Sequence, residues 1–276
     1  YLYNKKGIKL RGGASISHGI VYATTDTAAF YARYETLNVT PQDGLTRDQW
    51  EWYQASVSIT IDGFTERIAN QGDEALLDAL ETKRMQAEES ESLLLEQRIF
   101  RASPGTNEIR SLPLLVLDSG TEGNINGTTN TWWQSTVTAS GSFAARGLAD
   151  MRALYINISN QSLSGGAPDF ICSDQTAYQF YEAQLQPQQR FTDEKMAGAG
   201  FENLRYKGAT FTYDPNTPAG TLFMLSSDAL KLVTSKGTNF ITTPFIKPEN
   251  QDAKVAQILW AGQLASDNIR RLGKLT

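Results

Sequence analysis

The chain has 276 residues, of which 40% are hydrophobic, and it carries a formal net charge of −5. That length is enough for one large domain or two ordinary ones. The acidic balance argues against a protein that coats nucleic acid. The sequence has neither a signal-peptide pattern nor the apolar run of about 18 residues that a membrane span needs, so we expect no membrane partner.

The chain contains one cysteine, Cys172, and one histidine, His18. A lone cysteine cannot form an internal disulfide, and it fits a chain that folds in a reducing cytoplasm. A zinc site takes about four nitrogen or sulfur ligands, which this chain lacks. We therefore expect no metal, no cofactor and no catalytic site built on these two residues. Cys172 is predicted to be a small buried side chain, and His18 a partly exposed loop or strand residue.

The first part of the chain predicts an arm followed by a long hairpin. Residues 1–19 are rich in Gly and Lys without a clear period, which indicates an extended arm. A strand-like pattern runs from Gly19 to about Val39, and TPQDGLTRD then signals a turn. The return strand alternates between polar residues and an apolar face formed by Tyr53, Ala55, Val57, Ile59 and Ile61.

The apolar pattern changes face near the predicted turn. Trp50 and Trp52 lie at even-numbered positions, which hold the polar residues in the return strand. A simple half-buried hairpin keeps one parity, because a shift by one residue moves a side chain to the other face. We infer that the base and the tip of the hairpin contact different bodies.

A long helix follows the hairpin. The stretch from Asp73 to Ser103 has no Pro or Gly and is full of helix formers, and Pro104-Gly105 ends it. About 28 helical residues would span roughly 42 Å. The apolar positions do not hold a heptad, so a coiled coil is not predicted. The pattern indicates a strut that is apolar on part of its surface and acidic elsewhere.

The second half of the chain alternates loops, helices and short strands. Residues 116–147 are rich in loop signals, and the segment after them places one apolar face on a helix: Leu148, Met151, Leu154, Tyr155 and Ile158. PDFICSDQTAYQFYEAQL predicts a short strand, a cap at Ser173 and a second helix. Short strands follow Gly208. This order of elements predicts an α+β fold.

The sharpest catalytic motif is LLVLDSGT, at residues 114–121. Asp-Ser/Thr-Gly after an apolar strand is the loop of aspartic proteases, in which two carboxylates share one proton. One copy of the triplet, at Asp118, would require a homodimeric protease. The alternative is a strand that ends in an Asp-Gly turn. No second triplet of this kind occurs in the chain, and we keep the protease as an alternative function.

Four longer segments carry a family resemblance: LNVTPQDGLTRDQWEWYQASVSITIDGFTE, DSGTEGNINGTTNTWWQS, LQPQQRFTDEKMAGAGFENLRYKGATFTYD and FIKPENQDAKVAQILWAGQLASDNIRRLGKLT. They resemble the major capsid proteins of tailed bacteriophages, which have the Hong Kong 97-type fold. Together with the long helix they span nearly the whole chain. The second segment contains Asp118-Ser119-Gly120, so the resemblance offers a structural explanation for the protease-like triplet.

The resemblance implies a division of the chain into five parts. Residues 1–28 would be the N-terminal arm, and residues 29–66 the extended hairpin known as the E-loop. Residues 67–115 would form the peripheral domain with its spine helix, and residues 116–225 the axial domain. Residues 226–276 would return to the strands of the peripheral domain. In this arrangement the aromatic hairpin leans on a neighbouring subunit.

The resemblance also implies a structural role rather than an enzymatic one. The chain would self-assemble, as hexamers and pentamers, into the icosahedral virion capsid of a tailed phage, inside the host bacterial cytoplasm. The shell would enclose double-stranded DNA without sequence-specific binding, and scaffold, portal and cement proteins stay open as further partners. An encapsulin-type shell, which encloses enzymes, is the alternative within the same fold.

We predict inter-subunit contacts on both the hairpin and the arm. The hairpin residues are Phe30, Tyr34, Trp50, Trp52 and Tyr53, and we expect the two tryptophans to be largely buried only in the assembled shell. The arm residues are Lys5, Lys6, Lys9 and Arg11. This basic arm is expected to lie along the acidic long helix of another copy. No lysine occurs between Ala29 and Arg67, so we expect no covalent cross-link through this loop.

Overall fold

Two larger sheets and a long helix organise the chain. The computed structural model describes residues 7–10, 12–64, 73–141, 143–161, 166–189, 204–249 and 251–276. In chain order the strands are β1 (Gly7–Leu10), β2 (Gly19–Val21), β3 (Leu45–Arg47), β4 (Tyr53–Asp62), β5 (Thr121–Glu122), β6 (Ile125–Asn126), β7 (Thr136–Thr138), β8 (Phe170–Ser173), β9 (Leu204–Tyr206), β10 (Ala209–Tyr213), β11 (Leu222–Leu225), β12 (Leu230–Ser235), β13 (Ile241–Thr242), β14 (Ala253–Ser266) and β15 (Gly273–Leu275). The helices are α1 (Asp73–Phe100), α2 (Leu112–Leu115), α3 (Phe143–Gln161) and α4 (Gln175–Gln189).

The main sheet is built on β14. β4 pairs antiparallel with one edge of β14 over ten residues, from Tyr53↔Gly262 to Asp62↔Ala253. β12 and β13 pair with its other edge, and β1 adds a parallel strand beyond β12. The apolar face predicted for β4 is confirmed, because burial alternates along the strand and Ile59 and Ile61 are buried.

The predicted long helix is confirmed as α1, which has 28 residues. Ala87 packs in a cluster with Ile59 of β4 and Ile258 of β14, so one face of the helix lies on the main sheet. Lys83 adds a hydrogen bond from Nζ to the Thr60 carbonyl at 2.9 Å. None of the helices in the described ranges is long and apolar enough to cross a membrane.

The second sheet has six strands in the order β7-β15-β11-β8-β10-β9. Helices α3 and α4 supply much of the core that covers it, and the α3 residues Met151, Leu154 and Ile158 are fully buried there. Leu148, which was predicted on the same face, is 40% exposed. The helix cap also differs by one residue from the prediction. Asp174, rather than Ser173, accepts the Ala177 N–H at 3.0 Å.

The hairpin is divided differently from the prediction. Its paired strands are β2 and β3, with Gly19 opposite Arg47 and Val21 opposite Leu45. Only the first three residues of the stretch from Gly19 to Val39 form a strand, β2, and residues 22–44 connect β2 to β3. The predicted return strand, β4, instead belongs to the main sheet. An alternating pattern defines the buried face of a strand but not the strand that pairs with its edge.

Candidate assembly surfaces

The segment of residues 22–44, here called the exposed loop, leaves its large apolar side chains in solvent. Phe30 is 107% exposed and Tyr34 is 99% exposed, relative to a free residue. Further large apolar side chains of the loop are more than half exposed: Tyr31, Leu37 and Val39. Several large apolar side chains left in solvent on one segment make that segment a candidate interaction surface. Phe30 and Tyr34 therefore lie where an inter-subunit contact would need them, and that contact stays a prediction.

The exposed loop is attached firmly at its two ends. The Tyr22 N–H donates to the Gly44 carbonyl at 3.0 Å, and the Tyr22 hydroxyl donates to the Asp43 carbonyl at 2.9 Å. The Tyr22 ring stacks on Trp132 with centroids 4.7 Å apart. Further along, the Asp26 N–H donates to Gln42 Oε1 at 2.8 Å. These contacts hold the two limbs together near the base and leave the side chains at the tip available.

Asp48 anchors the base of the hairpin. The residue is 0% exposed, and its carboxylate accepts hydrogen bonds from the backbone N–H of His18 and from Trp50 Nε1 at 2.7 Å. His18 Nδ1 lies 3.0 Å from the same carboxylate. A buried carboxylate is tolerated only when such partners replace water. The sequence analysis missed Asp48, because its partner His18 is 30 residues away and no local motif links them.

Trp50 belongs to the core of its own chain. It is 4% exposed, it forms a backbone bridge with Ile16, and it packs in the largest apolar cluster. The prediction that Trp50 is buried only in the assembled shell is therefore wrong. Trp52 and Tyr53 are half-buried against the same cluster, and Trp52 Nε1 donates to the Gly13 carbonyl at 3.0 Å. The apolar pattern changes face between Trp52 and Tyr53 because the chain enters this core just before β4 begins.

Gly123 supports Trp50 from the loop that follows α2. Its carbonyl accepts the Gln49 N–H at 2.9 Å, and its φ of +57° lies in the left-handed region. A Cβ at this position would approach the Trp50 ring to 2.9 Å. The backbone therefore comes close to the indole only because residue 123 has no side chain.

A partly buried ion pair holds the same loop in place. Arg110 Nε donates to Glu122 Oε2 at 2.8 Å, and a second guanidinium nitrogen contacts Oε1, which makes the pair bidentate. Burial raises the pKa of the Glu122 carboxyl, and the Arg110 guanidinium opposes that rise. The Glu122 carbonyl also accepts Trp133 Nε1–H at 2.9 Å. The support beneath the hairpin base is thus a packed and hydrogen-bonded unit.

The basic arm lies partly in the main sheet. β1 pairs in parallel with β12, and Lys9 is opposite Thr234. The four residues of β1 are therefore held by backbone pairing within their own chain, and contact of the basic arm with the long helix of another copy stays a prediction. An open strand edge offers a row of backbone N–H and C=O groups, which pair more strongly than exposed side-chain charges do. The other arm residues of the prediction, Lys5, Lys6 and Arg11, lie outside the described residues.

The protease-like triplet does not follow a strand. Helix α2 precedes it, so both the protease hypothesis and the strand-and-turn alternative placed the wrong element there. Asp118 is exposed, and its carboxylate accepts the Ser119 hydroxyl at 3.3 Å. Nearby, burial lowers the pKa of the Lys274 amine while Asp118 opposes that effect. An aspartic protease needs its carboxyl held beside a second one, whereas Asp118 lies at the surface.

Cys172 has the properties of a structural residue. It is 3% exposed, and burial raises the pKa of its thiol to about 11. The thiol therefore stays protonated at neutral pH and is a poor nucleophile. The prediction of a small buried side chain is confirmed. Within the described ranges no group of three or more His, Cys, Asp or Glu residues gathers as metal ligands would.

No family model and no curated protein match the chain. Solved structures do match it along nearly its whole length. A chain of the cyanophage A-1(L) capsid asymmetric unit has 16% identity and a TM-score of 0.68, covering 98% of this chain and 89% of that one. A chain of the Mycobacterium phage Bobi structure has 10% identity and a TM-score of 0.62, covering 100% and 89%. A chain of the capsid of Myoviridae phage XM1 has 10% identity and a TM-score of 0.59, covering 100% and 92%.

Similarity at these identities establishes a shared fold. The matched segments include the main sheet, the long helix and the second sheet, because they cover almost the entire chain. These comparisons give no support to the encapsulin or the protease alternative. The chain has the Hong Kong 97-type fold of phage capsid proteins.

Proposed function

We propose that the chain is the major capsid protein of a tailed phage, a structural subunit that assembles with copies of itself into an icosahedral shell. The observation that carries the proposal is the exposed loop, whose Phe30 and Tyr34 side chains are fully in solvent above a hydrogen-bonded base. The fold shared with phage capsid proteins gives this loop a context in which a second copy covers it.

A shell explains why apolar side chains stand away from the core of their own chain. Aromatic rings bury a large area for little loss of conformational freedom, so they suit contacts between subunits. Around a ring of subunits each interface joins two different patches, one from each copy. The exposed loop would supply one such patch, and the body of an adjacent copy would supply the other.

The remaining assignments belong to the same proposal. The main sheet with α1 would form the peripheral domain, and the second sheet with α3 and α4 the axial domain, around which hexamers and pentamers gather. The net charge of −5 suits a container that encloses double-stranded DNA without adhering to it. We assign the protein no catalytic role, we place it in the virion after assembly in the bacterial cytoplasm, and scaffold, portal and cement proteins remain candidate partners.

Electron microscopy of the purified chain tests the proposal directly. We expect icosahedral particles from the unaltered protein and none from the variant Phe30→Ser/Tyr34→Ser, which removes both exposed rings. The matched control is Phe30→Tyr/Tyr34→Phe, which keeps both rings and should still assemble. Circular dichroism should show all three proteins folded. Small oligomers from the unaltered protein under every assembly condition, or normal particles from the serine variant, would contradict the proposal.

A further inference from the structure

Glu91 of α1 has a buried carboxyl without a partner. The residue is 0% exposed, and neither Oε1 nor Oε2 has a hydrogen-bond partner among the described residues. Asp48, the other fully buried acid of the described chain, accepts several hydrogen bonds. An ionised carboxylate that is buried without such partners carries a large desolvation cost. Glu91 therefore needs an explanation other than a structural ion pair.

The position of Glu91 on the helix directs it toward the main sheet. Ala87, one turn earlier, packs with Ile59 and Ile258, and Leu95, one turn later, packs against the main core cluster. Residues four apart share a face of a helix. Trp260, two residues after Ile258 on the same face of β14, is also buried, and its Nε1 has no partner in the described part of the chain. Unsatisfied polar atoms thus occur on both sides of this helix–sheet contact.

The bases on the described part of α1 are engaged away from Glu91. Their partners are the Thr60 carbonyl for Lys83 at 2.9 Å, Glu88 for Arg84 at 2.9 Å, and Glu108 for Arg98 at 3.0 Å. Glu88 lies one turn before Glu91, and its negative charge acts on the buried carboxyl. The charge environment on the helix itself therefore disfavours a second negative charge.

The strands beneath the helix offer little compensation. The titratable residues of β4 are Tyr53 and Asp62, at the two ends of the strand, and β14 contributes Lys254 near its start. Phe240, which packs against the same contact, contributes an aromatic ring. Burial, with Glu88 as the second cause, raises the pKa of Glu91 from its ordinary value of 4.5 to about 7.

We propose that Glu91 is a proton-controlled contact that makes the packing of α1 on the main sheet depend on pH. When protonated, the neutral carboxyl fits between the apolar contacts of Ala87 and Leu95. When ionised, it places an uncompensated charge beneath the helix. In a shell, which rests on the proposed function, every copy would carry this pH-dependent contact.

The direction of the effect follows from linkage. The folded chain holds the proton up to a pH of about 7, whereas the unfolded chain releases it near 4.5. Folding is therefore favoured most below 4.5, and this contribution is lost as the pH rises through about 7. Between pH values of about 5.5 and 8.5 the folded-to-unfolded ratio should fall by at most about thirtyfold through Glu91 alone.

Urea unfolding of the free full-length chain tests the proposal without any need for assembly. We expect the unfolding midpoint of the unaltered protein to fall across this pH range. The variant Glu91→Gln should lose this fall and should be more stable than the unaltered protein at the alkaline end. The control Glu89→Gln, an exposed acid on the same helix, should follow the unaltered protein. Parallel pH profiles for the unaltered protein and Glu91→Gln would overturn the proposal.

An infrared titration gives a second readout that does not depend on stability. The carbonyl stretch of a protonated carboxyl should disappear from the folded protein with a midpoint near pH 7, and Glu91→Gln should lack that transition. If Glu91→Gln does not fold, the variant Glu91→Met takes its place in both experiments, because it also removes the charge. A folded protein in which no carboxyl titrates in this range overturns the proposal. This result would leave the proposed capsid function intact.

Discussion

The exposed loop and the hairpin base below it are both aromatic, yet the structure uses their rings in opposite ways. Phe30 and Tyr34 of the loop are fully exposed, whereas Trp50 at the base is 4% exposed. Trp50 packs in the largest apolar cluster, where its Nε1 donates to Asp48 and its backbone pairs with Ile16, whereas no core cluster of the described residues includes the two loop rings. Aromatic content alone therefore does not tell an interface from a core. The contacts that each ring makes within its own chain distinguish the two regions.

Asp48→Ala should produce the largest loss of subunit stability. The substitution leaves the donors of His18 and Trp50 without an acceptor in a buried site, which should cost about 3–5 kcal/mol. Urea unfolding of the free chain measures this loss. The matched control is Asp43→Ala, because Asp43 is exposed and accepts one long hydrogen bond, from Leu45 at 3.4 Å. Equal effects for the two variants would show that the base is no better anchored than the loop.

Gly123→Ala should have an intermediate effect. The new methyl group would meet the Trp50 ring, and residue 123 has a φ of +57°, so we expect a loss of about 1–3 kcal/mol. The control Gly120→Ala also has a positive φ, +93°, but its Cβ would point into open space. Thermal unfolding should therefore place Gly120→Ala between Gly123→Ala and the unaltered protein. If Gly120→Ala is the less stable variant, close packing against Trp50 is not the cause.

Substitution of the loop rings should have the smallest effect on the free subunit. Phe30→Ser and Tyr34→Ser remove side chains that are exposed, so the urea midpoint of the free chain should stay unchanged.

Trypsin digestion compares the exposure of the loop in the free chain and in particles, because Arg33 lies on the loop between Tyr31 and Tyr34. Cleavage after Arg33 should be rapid in the free chain and slow in assembled particles. Cleavage after the exposed Lys236, which is outside the loop, provides a reference rate.

Local patterns in the sequence predicted the elements that depend on local physics. The absence of Pro and Gly between Asp73 and Ser103 predicted α1, which ends at Phe100, close before Pro104. The alternation along β4 predicted its buried face, and the spacing of Met151, Leu154 and Ile158 predicted the buried face of α3. In each case the periodicity of the backbone places the side chains on one face, whatever the partner is.

The arrangement of those elements required the tertiary structure. β4 pairs with β14 rather than with the limb before it, and Asp48 finds its partner 30 residues away at His18. Glu91 is one acid among many on α1, and only the sheet beneath it distinguishes it from the solvated ones. The sequence by itself determined the three long helices α1, α3 and α4 and most of the buried faces of β4 and α3. Contacts between distant segments decided which strand edges pair and which polar groups are removed from water. Hydrogen bonding and desolvation depend on the groups that the folded chain places next to each strand edge and polar side chain.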